Sequence, residues 1–196
     1  MRLSMEKKFG EMLVKMADSQ QHRLLDAAHI IIEITRFLHA HKPVKKGAED
    51  TFIHYSLAPF INNIFHGDHI DSYRANSSLA SNSKIRPDFT LHATLLGHRY
   101  DMFMVEVKPL QSPLTESDFI NLAKDLMCML NKLVGLQVPG PAVHGMWVDG
   151  MQVQTFKMDL VANGMYRLVE MDSFELVRSF DDLSRMRAIL QKLGNH

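Results

Sequence analysis

The chain has one cysteine, Cys128, in 196 residues. An intramolecular disulfide is excluded, which fits a reducing compartment. Cys128 lies in an apolar helical run and reads as a small buried hydrophobe. An excess of either charge is also missing: Lys plus Arg and Asp plus Glu each total 22, for a formal net charge of zero. Overall basicity therefore supplies no affinity for nucleic acid, and any such binding must come from a local patch. No run is long and apolar enough to cross a bilayer. The N-terminus has no long apolar core followed by a small-residue cleavage site. The expected setting is intracellular, in nucleus or cytoplasm, not secreted and with no membrane partner. There is no internal repeat and no low-complexity tract.

What is present is enough apolar material, 46% of residues, for one sizeable core. Met5, Phe9, Met12, Leu13 and Met16 recur at helical spacing, as do Leu24, Leu25, Ala28, Ile31, Ile32, Thr35 and Leu38. These stripes predict an N-terminal helical extension over residues 1–42 that packs on the domain or on a second copy of the chain as a homodimer. Pro43 ends it, since the residue before a proline disfavours helix. Residues 43–196 then form the main domain.

Within that domain, Glu49-Asp50 open an apolar helical stretch over residues 51–65, with Pro59 predicting a kink or an early break. Residues 66–84 are rich in Gly, Asp, Ser and Asn and read as a long loop. Residues 115–134 predict a helix capped by Thr115. Residues 143–148 and 152–158 predict a hairpin about Asp149-Gly150, residues 165–169 a further strand, and residues 181–193 a closing helix.

Between the long loop and the capped helix stand two apolar runs that carry chemistry. Pro87-Asp88 opens the first, and Glu106-Val107-Lys108 closes the second. Side chains two apart on a strand share a face, so Glu106 and Lys108 point together, with Met102 and Met104 before them. Phe89, Leu91, Ala93 and Leu95 alternate with Asp88, Thr90, His92 and Thr94. An antiparallel hairpin brings Asp88 to Glu106, but only in one register. A two-residue loop of Gly97-His98 sets Val107 opposite Asp88, whereas a three-residue loop over 96–98 pairs Asp88 with Glu106. Because a one-residue slip turns every side chain over, an odd-length loop or a bulge is expected. Two carboxylates and an ammonium at one point suit a divalent cation and an oriented water.

Pro87, Asp88, Glu106 and Lys108, in this order and strand context, resemble the PD-(D/E)XK nuclease superfamily. The layout over about residues 47–178 is similar as well, and is similar to that of fungal proteins with this domain. The resemblance implies an α/β, restriction-endonuclease-like fold, a central mixed β-sheet flanked by helices. It implies metal-dependent hydrolysis of nucleic-acid phosphodiesters, with DNA ahead of RNA as the expected substrate. Asp88, Glu106 and the Val107 carbonyl would ligate Mg²⁺ or Mn²⁺. Glu49, with Asp50 competing, would complete the metal site, and Lys108 would position the attacking water. The alternative is a catalytically inactive nuclease-fold module that binds nucleic acid or protein.

Other residues carry weaker signals. Lys42, Lys45, Lys46, Lys84 and Arg86 form either a phosphate-binding patch or a set of solvated loop cations. Lys124 falls where relatives often place a lysine near the scissile phosphate, but a surface lysine beside Asp125 is the simpler reading. His66, Asp68 and His69 lack the second cluster that a zinc site needs. His92 is either a substrate contact on the face of Asp88 or, more simply, a satisfied surface histidine; Trp147 and Tyr166 read as core, the alternative being an exposed Trp147 that stacks on a base.

Overall fold

A computed structural model of the chain describes residues 22–40, 56–64, 70–74, 78–95, 98–108 and 116–193. The architecture is α/β. The chain divides into two compact units, one of residues 1–65 with 176–196 and one of residues 66–175.

The first unit contains helix α1, His22–Ala40, packed against the short helix α2, Ala58–Ile64. On α1 the buried residues are Ala28, Ile30, Ile34 and Thr35, so the inward stripe centres nearer Ile30 and Ile34 than the expected Ile31 and Ile32. On α2 they are Ala58, Pro59, Phe60 and Ile61, next to the equally buried Leu57. Pro59 falls in the first turn of α2, directly after a π-helical turn at residues 56–57, a local irregularity of the kind a proline inside a helix imposes. The Asn63 side-chain amide donates to the Pro59 carbonyl at 2.8 Å. The expected closing helix is split. A 3₁₀ turn, Phe180–Arg185, leads into helix α4, Met186–Leu193, whose Met186 and Ile189 are buried. Asp182 accepts the Arg178 and Ser179 backbone N–H groups, and these bonds hold its carboxyl below the usual range.

The second unit is a six-stranded mixed sheet in the order β1-β2-β3-β4-β5-β6, with helix α3 against one face. The strands are β1 Ile70–Arg74, β2 Phe89–Leu95, β3 His98–Lys108, β4 Ala142–Asp149, β5 Gln152–Ala162 and β6 Met165–Glu175. Neighbours pair antiparallel except β3 and β4, which run parallel and are joined by α3, Glu116–Gly135. A parallel pair needs such a crossover, because a tight turn cannot return the chain to the same end of the sheet.

Strand β1 lies inside residues 66–84, which the composition reads as loop throughout. It is short and has no apolar alternation. It pairs at the sheet edge, from Ile70 opposite Ala93 to Arg74 opposite Phe89. Strand β6 runs to Glu175, past the expected 169. The β4–β5 hairpin matches expectation: Asp149 pairs with Gln152, and Gly150 takes the positive φ of 56° that the turn requires.

The α3 face carries the core of this unit. Leu122, Leu126, Met129 and Leu130 from α3 meet Met104, Trp147 and other sheet residues, and Leu79 joins them from the segment before β2. Gly145 lets the helix come close, since a Cβ there would lie 2.8 Å from Leu126 Cδ1.

Candidate active site

The β2–β3 hairpin resolves the question of register with a bulge. Near the turn, Leu95 pairs with His98 and His92 with Asp101; beyond it, Leu91 pairs with Phe103 and Phe89 with Val105. Met102 is the extra residue. It is 39% exposed and does not join the buried Met104 on the Glu106 face, contrary to simple alternation. The shift brings the far end of the hairpin into the register that sets Asp88 against Glu106.

Asp88 stands just outside β2, where the ladder stops. Its Oδ2 accepts the Val107 backbone N–H at 2.7 Å, standing in for the next strand partner. The carboxylate is thereby fixed against the Glu106–Val107 peptide. The segment leading to Asp88 is itself tied down. Asp101, with a side chain only 1% exposed, accepts the Ser81 N–H at 2.8 Å and lies 3.6 Å from Arg99 Nε. Arg99 donates to the Ser78 carbonyl at 3.3 Å, and Lys132 on α3 donates to the Ala80 carbonyl at 2.8 Å. Leu79 N–H closes the loop onto the Ile85 carbonyl at 3.1 Å. Asp88 thus ends a braced segment.

Glu106 and Lys108 share the α3 face at the carboxyl end of β3, and Lys108 Nζ donates to Glu106 Oε1 at 3.2 Å. Burial holds the Glu106 carboxyl above the usual range, and the negative charge of Asp88 adds to the shift. Lys108 opposes it, while Asp125 pushes the same way. Asp125 is a site neighbour that sequence reasoning missed. It sits on α3 between the buried Leu122 and Met129, so its helical phase was the available signal. Burial raises its carboxyl too, against the pull of Lys124.

The expected site residues are placed as follows. Asp88, Glu106, Val107 and Lys108 come together. Glu49 and Asp50 lie outside the described residues, as do Lys42, Lys45, Lys46, His66, Asp68 and His69. Lys84, Arg86 and Lys124 are exposed. His92 is buried rather than at the surface: the regular part of β2 puts it on the α3 face, opposite Asp101. Trp147 is buried, as expected, and Cys128 is half-buried.

The donor set fits a hard divalent cation. Asp88 and Glu106 offer carboxylate oxygens and Val107 a carbonyl, and magnesium binds through one or two carboxylates while keeping waters. Among the described residues no three His, Cys, Asp or Glu side chains form a ligand group. No helix among the described residues is long and apolar enough to cross a membrane. No protein-family model matches the chain, and no curated protein or solved structure matches it either.

Proposed function

We propose that the chain is a metal-dependent nuclease of the restriction-endonuclease-like, PD-(D/E)XK type, hydrolysing phosphodiester bonds in DNA ahead of RNA. The observation that carries this reading is the convergence of Asp88, Glu106 and Lys108, with the Asp88 carboxylate 2.7 Å from the Val107 nitrogen and the Lys108 ammonium 3.2 Å from Glu106. The order of elements agrees: a hairpin bearing the carboxylates, a helix, then a parallel strand.

In this reading Asp88, Glu106 and the Val107 carbonyl hold Mg²⁺ or Mn²⁺. When bound, the ion lowers the pKa of water and offsets charge on the phosphate. Lys108 holds the attacking water in line and stabilises charge developing at the phosphoryl oxygens. Glu106 holds the Lys108 ammonium in place, and the braced 78–88 segment presents Asp88 at a fixed position.

Incubating purified chain with labelled DNA and RNA, in Mg²⁺ or in EDTA, tests the proposal. Cleavage that needs the metal and is lost in Lys108→Ala supports it. Binding measured in Ca²⁺ without cleavage in Mg²⁺ or Mn²⁺ selects the inactive binding module instead.

A further inference from the structure

Arg86 stands two residues before Asp88, on the segment that carries this proposed metal ligand. The covalent chain alone bounds their separation. Two residues span at most about 7 Å between Cα atoms, so the Arg86 Cα lies no farther than that from the Asp88 Cα. Pro87 also biases Arg86 towards extended backbone.

The backbone is anchored on both sides of Arg86. The Ile85 carbonyl accepts the Leu79 N–H at 3.1 Å, the Ile85 N–H donates to the Asn82 carbonyl at 3.1 Å, and the Ile85 side chain packs on the core beneath α3. Pro87 is buried, and Asp88 is bonded to Val107. Between them Arg86 is exposed. Among the described residues no hydrogen bond or ion pair engages its guanidinium. The other two arginines whose side chains are described in this unit are both engaged. Arg99 donates to the Ser78 carbonyl, and Arg167 grips both Asp159 oxygens at 3.0 and 2.8 Å.

A guanidinium with no carboxylate to neutralise it, rooted on held backbone beside a carboxylate site, is suited to an anion brought in from outside. Its planar fork matches a phosphate group bidentately. The chain has no net positive charge, so affinity for a polyanion has to come from such local cations. In a nucleic-acid strand the phosphate at the metal is followed at once by another.

We propose that Arg86 clamps a backbone phosphate flanking the scissile one and so holds the strand in line with the metal site. The proposal rests on the nuclease reading for the identity of the ligand, and not for turnover.

The test follows binding of the full chain to a dye-labelled DNA duplex by fluorescence anisotropy in Ca²⁺, between about 50 and 200 mM KCl. Each phosphate neutralised on duplex DNA adds about 0.9 to the slope of log affinity against log salt, so Arg86→Ala is expected to make the slope shallower by about that amount. Arg86→Lys keeps the charge and should keep the slope. Arg167→Ala removes the same charge from β6, four strands from β2 or about 19 Å away, and should leave the slope as in wild type. The loss in Arg86→Ala should be the same on duplexes of different sequence, since a phosphate contact carries no base readout. Melting temperatures confirm that each variant is folded. An unchanged slope in Arg86→Ala overturns the proposal, as does an equal change in Arg167→Ala or a wild-type chain that binds no DNA. Cleavage in Mg²⁺ is scored separately. A shallower slope in Arg86→Ala from a chain that never cleaves keeps the clamp and removes the nuclease. Cleavage by a chain whose slope ignores Arg86 keeps the nuclease and removes the clamp.

Discussion

Asp88 Oδ2 accepts the backbone N–H of Val107 at 2.7 Å, so one carboxylate both completes the ladder where β2 ends and faces the proposed metal position. The two roles separate on substitution. Asp88→Asn keeps a side-chain oxygen for the Val107 N–H and loses the charge. Asp88→Ala leaves that N–H, on a residue only 1% exposed, without its acceptor. We expect Asn to be close to wild type in thermal stability and Ala to be destabilised by about 1–3 kcal/mol. Both should bind Mg²⁺ more weakly by calorimetry. Unchanged Mg²⁺ affinity in both would remove Asp88 from the site.

The raised Glu106 carboxyl links metal binding and stability to pH in opposite directions. Mg²⁺ needs the ionised form, so its affinity should climb as pH rises through the elevated Glu106 value. Without metal, the folded chain holds the Glu106 proton more tightly than the unfolded chain. That contribution to stability is complete below the unfolded value and is lost as pH rises through the folded one. Glu106→Gln should therefore gain stability relative to wild type as pH climbs through this window, with the two converging in acid. Denaturant midpoints across the pH range check it, and a constant offset between the two proteins would contradict it.

Lys108 lowers the Glu106 carboxyl through its 3.2 Å contact. Lys108→Met should lose turnover with little change in nucleic-acid affinity, as expected for a group acting in the transition state. It should also move the pH midpoint for Mg²⁺ binding upward. A variant that cleaves at the wild-type rate would show that this lysine has no catalytic part.

Asp101 lies on the same strand as Glu106 and bears on the proposed site through the segment that ends at Asp88. Removing its carboxylate strands the Ser81 N–H and leaves Arg99 without its nearby partner, so Asp101→Ala should cost about 2–3 kcal/mol. Backbone amides over 79–85 should exchange faster, and so should Val107, whose acceptor is carried by the loosened segment. Exchange protection at Val107 unchanged in a folded Asp101→Ala would show that the brace does not position Asp88.

Gly145 should tolerate no larger residue. Gly145→Val drives a side chain into Leu126, which is itself fully buried, and is expected to cost about 1–3 kcal/mol. Leu126→Ala in the same chain should recover part of the loss. Additive losses in a double-mutant cycle would show that the two do not share that space.

The proposed site was legible where chemistry and period agreed. Asp88, Glu106 and Lys108 followed from strand alternation, and the need for a bulge or an odd loop followed from register. The bulge's position did not, because Met102 differs from Met104 only in how the backbone treats it. Asp125 was visible as a helical phase but reads as half of a surface pair with Lys124. His92 and Asp101 look like solvent-face residues, yet both are buried, and Asp101 bonds Ser81 of the 78–88 segment, which no local pattern announces. Strand β1 has almost no side-chain signal, since an edge strand can rest on its backbone bonds.

The bulge at Met102 also makes the two ends of β3 count their residues separately. Leu95–His98 pairing sets the turn end, Phe89–Val105 pairing sets the chemical end, and the surplus between them is a single residue. Deleting Met102 would join the two halves into a continuous ladder with every remaining pair retained. Deleting Phe103 would remove the same surplus and keep the same ladder, but would put Met102 into the buried Phe103 slot. The strand thus carries one surplus residue of backbone, just upstream of the stretch that must stay in line with Asp88.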